Sequence, residues 1–387
     1  MTAAQVTART CPHFPACPGC PLVGQRYERQ LAQKHRDVER TLAAALPPDA
    51  RVSVAPVVGA ARCEGYRTQA KLVARNTRRG LILGLYQRES HHVVDASGCP
   101  LHAPALRRGI RVLRDVLERE RIPIHGRERL GIRYVLLRTS SVDRGLLTTI
   151  VTSRPKLARD VELAAILRRR MALAGLSVNH NPSPGNEILG PKTSLVWGAR
   201  SLTERYGDVM LTAGPTAFVQ TNPVMAGRIY RTIASTARVQ STDRVLDLYA
   251  GVGGIALTLG SRAASVVGIE EVEAAVHAAR GNARRNRARN VSFETARVED
   301  GIGRLTPGAI DIVTMNPPRK GCGAGVARAL GTLAPKRLVY LSCSPASFAR
   351  DARSLHAAGY ALRRLTPFDL YPQTDHVELL GIFEPTT

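Results

Sequence analysis

The chain has 387 residues, long enough for two domains, and carries 55 Lys+Arg against 31 Asp+Glu for a formal net charge of +24. That charge exceeds what solubility asks and attracts polyanions, nucleic acid above all, although a composition rich in Arg and Ala throughout is the blander account of it. No apolar run reaches the roughly 18–20 residues of a membrane span and MTAAQVTARTCPHF has no signal-like stretch, so the expectation is a soluble cytoplasmic protein, and aromatics at 4 % argue against an open base-stacking platform.

A Pro-rich loop comes first, holding Cys11, Cys17 and Cys20, and a fourth cysteine, Cys99, follows in Ser-Gly-Cys-Pro. In a cytoplasmic chain these are not expected to be disulfides. Three close thiolates and a remote fourth can hold a [4Fe–4S] cluster or a tetrahedral zinc, and spacing does not separate the two, though His13 in the same loop leans towards zinc. The spacing is not C-x3-C-x2-C, so the centre reads as structural and no radical chemistry is expected. Cys63 and Cys322 read as packing residues, Cys322 being a weak spare nucleophile.

Residues 25–46 place Tyr27, Leu31, Val38, Leu42 and Leu46 on one helical face, ended by Pro47-Pro48. From about 52 to 210 the pattern is short β-rich runs with one helical stretch near 157–174, an α+β domain. The cations of 66–80 and of the Arg-rich run 127–138 fall on its strands, where they can meet phosphates. From about 211 strands alternate with helices: RVLDLYAG, SVVGIE, DIVTMNPP and LVYLSCSP each lead into a helical pattern. Such alternation specifies a parallel, Rossmann-like α/β sheet whose ligands sit at the carboxyl ends of the strands. The expected division is therefore 1–210, a cluster-bearing α+β RNA-binding domain, and 211–387, a catalytic domain, with helix 25–46 free to pack on the latter.

Asp247-Leu-Tyr-Ala-Gly251-Val-Gly253-Gly254 closes the first of these strands, and the next ends in Gly268-Ile-Glu270. Glycines let backbone approach a nucleotide-like ligand, and a carboxylate about 20 residues on can bind ribose hydroxyls. The Asp before the glycines and the absence of G-x-G-x-x-G favour S-adenosylmethionine over a dinucleotide. Two later strands bring Asn316-Pro-Pro-Arg319 and Ser342-Cys343-Ser-Pro345 to the same sheet edge. Cys343 is a candidate nucleophile, with Arg319 and the following helix N-terminus available to favour its thiolate. Glu378 in Asp375-His-Val-Glu378 is the candidate general base, with His376 as the alternative. Alone, each has a bland account, a core cysteine and a solvated glutamate.

In order along 214–380, Phe218-Val-Gln220-Thr-Asn222, the glycine turn, Gly268-Ile-Glu270, Asn316-Pro-Pro-Arg319, Ser342-Cys343-Ser-Pro345, Arg350-Asp351 and His376-Val-Glu378 resemble the uracil-C5 RNA methyltransferases. The resemblance implies methylation of carbon 5 of a uridine, with Cys343 as nucleophile and Glu378 as base. It implies that Gln220, Tyr249, Glu270 and Asn316 line the cofactor and target-base pocket, beside the Asp247 and Gly251 of the turn. It also implies that Cys11, Cys17, Cys20 and Cys99 hold an iron–sulfur cluster. Many members carry Asp where this chain has Asn316 and Cys where it has Ala250. Asn316, Gly98-Cys-Pro-Leu-His102 and Phe368-Asp-Leu-Tyr-Pro372 resemble the short subfamily acting on 23S ribosomal RNA, which lacks the β-barrel TRAM domain of longer relatives; none is expected ahead of Cys11 here.

Three readings stand: this methyltransferase, on 23S or alternatively transfer RNA; an amino-group methyltransferase using Asn316-Pro-Pro; and a non-catalytic, metal-stabilised RNA-binding protein. Cys343 and Glu378 favour the first over the second, because transfer to an amine needs neither. The expected target lies in an RNA loop, since the base must be unstacked to react. No obligate protein partner is expected.

Overall fold

The computed structural model describes residues 11–50, 52–126, 130–157, 159–183, 185 and 187–386, so residues 127–129 of the Arg-rich run lie outside the described residues. The chain divides into two compact units. One comprises the segment ending at Gln25, Arg62–Glu204 and Ala213–Ala217; the other comprises Arg26–Ala61, Arg205–Thr212 and everything from Phe218 onward. A single boundary at 210 does not describe this. Helix α1 (Tyr27–Ala45) belongs to the second unit, where Val38 and Leu42 enter a core with Leu330, Phe348 and Leu355. Its amphipathic pattern announces a buried face without saying which core receives it.

The first unit is built on a sheet of β1 (Gln69–Thr77), β2 (Gly80–Tyr86), β3 (Val93–Asp95), β4 (Ile132–Thr139), β5 (Leu146–Thr152), β6 (Leu173–His180) and β7 (Lys192–Gly198), in the order β3-β2-β1-β4-β5-β6-β7. Strands β5 and β6 run parallel and the other neighbours antiparallel. Helices α2 (Pro104–Arg119) and α3 (Asp160–Arg170) cover one face, where Ile110, Leu113 and Leu167 meet Leu72, Val135 and Leu176. Helix α2 corrects the expectation of one helical stretch near 157–174. Its Leu106, Ile110, Leu113 and Leu117 recur at helical spacing behind a first-turn proline, and the arginines between them hid the stripe.

A hairpin of β8 (Leu202–Tyr206) and β9 (Val209–Ala213) follows. The second unit then runs α4 (Pro223–Thr236), β10 (Arg244–Leu248), α5 (Gly254–Gly260), β11 (Ser265–Glu270), α6 (Glu273–Arg285), β12 (Val291–Thr295), α7 (Val298–Gly303), β13 (Ile312–Met315), α8 (Gly323–Leu333), β14 (Arg337–Ser342), α9 (Pro345–Ala357), β15 (Tyr360–Phe368) and β16 (Glu378–Pro385). Sheet order is β12-β11-β10-β13-β14-β16-β15. Strands β10 to β14 are parallel, as the alternation predicts, but β16 pairs antiparallel with both β14 and β15. The connection from β15 to β16 contains no crossover helix, so the chain returns in the opposite sense and slots between them. Ser342 then pairs with Leu379, which puts Glu378 beside the carboxyl end of β14.

The connection leading into β16 is fastened by α1. Lys34 Nζ donates to Asp369 Oδ1 at 2.6 Å and to the Tyr371 carbonyl at 3.3 Å. Gln30 and Gln373 exchange two hydrogen bonds of 2.9 and 3.0 Å, holding Gln373 at φ 73°. Both Lys34 and Asp369 are buried, so removing one partner strands a charge, whereas replacing both removes the desolvation cost as well. Lys34→Met is expected to destabilise the second unit by about 3–5 kcal/mol in urea denaturation, and Lys34→Met/Asp369→Leu to recover most of it. Equal losses in the two would show that the ion pair is not the cause.

Candidate active site

The glycine turn leaves β10 through two left-handed residues, Tyr249 at φ 60° and Gly251 at φ 54°. A Cβ added to Gly251 would meet nothing within 4 Å, so the turn has open space above it. Gly253 also has positive φ, but there Phe293 lies 2.7 Å from a virtual Cβ and the glycine serves close packing. Glu270, at the end of β11, accepts the Gly251 N–H on Oε2 and the Val272 N–H on Oε1, each at 3.0 Å. Its carboxylate thus ties two strand ends together beside the open turn.

Asp247 has a different place from the one expected of a ligand contact. It is 1 % exposed, its Oδ2 accepts the Ala256 N–H at 3.0 Å, and its Oδ1 accepts the Thr314 hydroxyl at 2.6 Å. Burial raises its carboxyl to about 7 against those hydrogen bonds. It braces the turn from beneath. Asn316 leaves β13 with its N–H on the Leu248 carbonyl at 3.3 Å, and it is half-buried, as is Tyr249. Gln220 Oε1 accepts the Tyr371 hydroxyl at 3.2 Å, and its carbonyl accepts from Tyr206 at 3.0 Å.

Cys343 and Glu378 come together because β16 enters antiparallel. Burial pushes the Cys343 thiol above its ordinary value, the nearby Glu378 adds to this, and Arg319 opposes both. The positive surroundings expected from the sequence exist, but they lose to burial. Glu378 is 4 % exposed, its Oε2 has no hydrogen-bond partner, and burial lifts its carboxyl to about 8 against the pull of Arg319. A buried carboxylate oxygen without a partner is costly, and it is the form a group takes when its partner arrives with a ligand. His376 lies further out, exposed, with Nδ1 3.1 Å from Arg319 Nη2. Tyr230 escaped the sequence reading: its phenol is raised by burial, then by Asp247 and Glu378, yet in PVMAGRIYRT it reads as an ordinary core aromatic.

The described cysteines are all free. In the first unit the Cys20 thiol is pushed up to about 12 by burial and then by Cys99, with Cys17 and Cys11 contributing. The four thiols are therefore electrostatic neighbours. Burial lowers His13, whose Nε2 is buried without a hydrogen-bond partner, and lowers His102 to about 3. Among the described residues no group of three or more His, Cys, Asp or Glu could hold a metal ion, so the structure does not show the metal centre the sequence led us to expect. Nor is any described helix long and apolar enough to cross a membrane.

A parallel sheet with an open glycine turn, a carboxylate one strand away and reactive groups on the same edge defines the second unit as a Rossmann-like, S-adenosylmethionine-dependent methyltransferase fold. The family described as tRNA (Uracil-5-)-methyltransferase matches residues 208–384. The chain is 36 % identical over 385 residues to an uncharacterized RNA methyltransferase of Geobacter sulfurreducens, covering 98 % of this chain and 77 % of that one. It is 32 % identical over 370 residues to an uncharacterized RNA methyltransferase of Thermosynechococcus vestitus, covering 95 % and 82 %. It is also similar to the crystal structure of Pyrococcus abyssi tRNA (uracil-54, C5)-methyltransferase in complex with S-adenosyl-L-homocysteine, with TM-score 0.77, 26 % identity, and 95 % and 86 % of the two chains covered. These likenesses run through both units. The chain belongs to the RNA uracil-5 methyltransferase family.

The raised carboxyl of Glu378 has a thermodynamic signature. Folded Glu378 keeps its proton to about 8 while the unfolded side chain releases it near 4.5, so stability falls as pH rises between those values. Glu378→Gln, which never ionises, is expected to melt above the wild type at about pH 9 and close to it at about pH 5. A constant difference at both pH values would place the carboxyl in a solvated setting.

Proposed function

We propose that this chain methylates carbon 5 of a uridine in RNA through Cys343 and Glu378. The observation that carries the reading is the buried, partnerless Oε2 of Glu378 at the strand end facing Cys343, with Arg319 acting on both. Carbon 5 of uracil is a poor nucleophile until a thiolate adds to carbon 6 and leaves an enolate. S-adenosylmethionine supplies the electrophilic methyl group. Gln220, Tyr249, Gly251, Glu270 and Asn316 line the pocket for cofactor and base, and Asp247 braces its floor. Carbon 5 then bears both methyl and proton; Glu378 removes the proton, the carbon 5–carbon 6 double bond re-forms, and the Cys343 thiolate leaves. Both groups act deprotonated, and their raised values keep them protonated until base and cofactor are in place.

The proposed substrate is 23S ribosomal RNA, supported by the resemblance of Asn316, Gly98-Cys-Pro-Leu-His102 and Phe368-Asp-Leu-Tyr-Pro372 to that subfamily. Transfer RNA is the second reading, favoured by the likeness to the Pyrococcus abyssi enzyme, a tRNA (uracil-54, C5)-methyltransferase. Cations of the first unit, where basic residues outnumber acidic ones more than twofold, suit the RNA backbone. RNA fractions from a deletion strain, analysed for 5-methyluridine, should lose one site in 23S; loss from transfer RNA alone would move the target. With that RNA and labelled S-adenosylmethionine, Cys343→Ala should form no adduct, whereas Glu378→Gln should accumulate a methylated protein–RNA adduct on denaturing gels. Normal turnover by Glu378→Gln would assign the proton to another group.

We further propose that Cys11, Cys17, Cys20 and Cys99 hold a [4Fe–4S] cluster. Buried thiols that raise one another are relieved when they lose their protons to a cationic centre, and four sulfur donors suit iron and zinc alike. Protein purified without oxygen should be brown, and Cys20→Ser should lose the colour and lower the melting temperature. One zinc and no iron on metal analysis would overturn the cluster.

A further inference from the structure

Arg319 bears on both Cys343 and Glu378, yet its side chain is exposed and it sits in a segment, 316–322, without helix or strand. An exposed arginine on such a segment has many rotamers, and holding one of them requires that the backbone beneath be fixed. Helix α9 supplies the fixing. Ser347 Oγ donates to the Arg319 carbonyl at 2.6 Å, and Arg350 Nη2 donates to the Lys320 carbonyl at 2.6 Å. Asp351 accepts the Cys322 N–H at 2.8 Å and the Gly323 N–H at 3.3 Å, and Tyr340 donates its hydroxyl to the same carboxylate at 2.7 Å. Asp351 is 1 % exposed. Gly321, at φ 84°, would put a Cβ 2.2 Å from Asp351 Oδ2, so only glycine lets the segment close on that carboxylate.

From this geometry we infer that Ser347, Arg350 and Asp351 are positioning residues that hold the segment so that Arg319 reaches Cys343 and Glu378. The same helix begins two residues after Cys343, with Ser344 as its N-cap. One rigid element therefore sets both the thiol and the cation that bears on it. Its catalytic meaning rests on the reading of Cys343 as nucleophile, but the thiol is measured without RNA or cofactor, so the two can fail separately.

The test uses sign. Deleting the negative charge of Asp351 can, by charge alone, only make a thiolate easier to form. Loss of the held guanidinium makes it harder. Iodoacetamide alkylation of the full-length protein, followed on the Cys343 peptide by mass spectrometry across pH, reads the thiolate fraction directly. Arg319→Gln and Asp351→Asn should each slow alkylation at about pH 8 by about threefold, and the double variant by no more than either. Ser347→Ala, which removes only the bond to the Arg319 carbonyl, should act in the same direction and serves if Asp351→Asn does not fold. Unchanged or faster alkylation in Asp351→Asn with an intact fold, no slowing in Ser347→Ala, or slowing that multiplies in the double variant would overturn the assignment.

Discussion

In a sheet of parallel strands the carboxyl ends share one edge, and a strand inserted in the opposite sense brings its amino end there. Strand β16 does this next to β14. The sheet thus collects Glu270, Asn316 and Cys343 from strand exits and Glu378 from a strand entrance. Because β16 lies between β14 and β15, its first residue is flanked by strands on both sides, and Glu378 is buried where the exits are half-open. Burial then outweighs Arg319 at both Cys343 and Glu378 and favours their protonated forms.

Much of this architecture was legible in the sequence, because strand–helix alternation is written in hydrophobic period, and Gly251 and Glu270 sit where the pattern places them. What could not be read was direction. An apolar run gives the same pattern parallel or antiparallel, so the reversal of β16, and with it the burial of Glu378, had no local signature. Asp247 escaped for a related reason: an acid before a glycine turn can point up at a ligand or down into the fold, and only the hydroxyl of Thr314 from another strand decides. Helix α1 shows the same limit. Gln30 and Lys34 lie on its buried face and look like breaks in the stripe until Gln373 and Asp369, over three hundred residues away, are known to meet them.

The groups that touch the proposed chemistry are few compared with those that hold them. Arg319 depends on a segment clamped by α9, and Tyr371, bonded to Gln220 and packed edge-on against His376 at 6.1 Å, depends on a connection clamped by α1. Helices α9 and α1 thus convert hydrogen bonds to the backbone of two connections into placement of Arg319 and Tyr371. This is the usual relation between a reactive group and its support, since an error of about 1 Å at the reacting atoms is felt as a large loss of rate.

Two carboxylates nine residues apart in the chain make the strongest internal contrast. Asp369 and Glu378 bracket the connection into β16, and both are nearly inaccessible, at 0 % and 4 % exposure. Asp369 receives a lysine at 2.6 Å, delivered from α1 by a side chain that is itself buried. Glu378 receives no hydrogen bond on Oε2, and among the described residues the charge of Arg319 favours its ionised form. The fold commits a buried cation to the acid that anchors the connection, while Glu378 makes no ion pair among the described residues, although each acid keeps one buried oxygen without a hydrogen bond. An unsatisfied buried group costs stability whenever no ligand is present. A protein retains that cost where the group is kept available for a partner that comes and goes, and in the proposed reaction the proton on carbon 5 of a base held by Cys343 is such a partner.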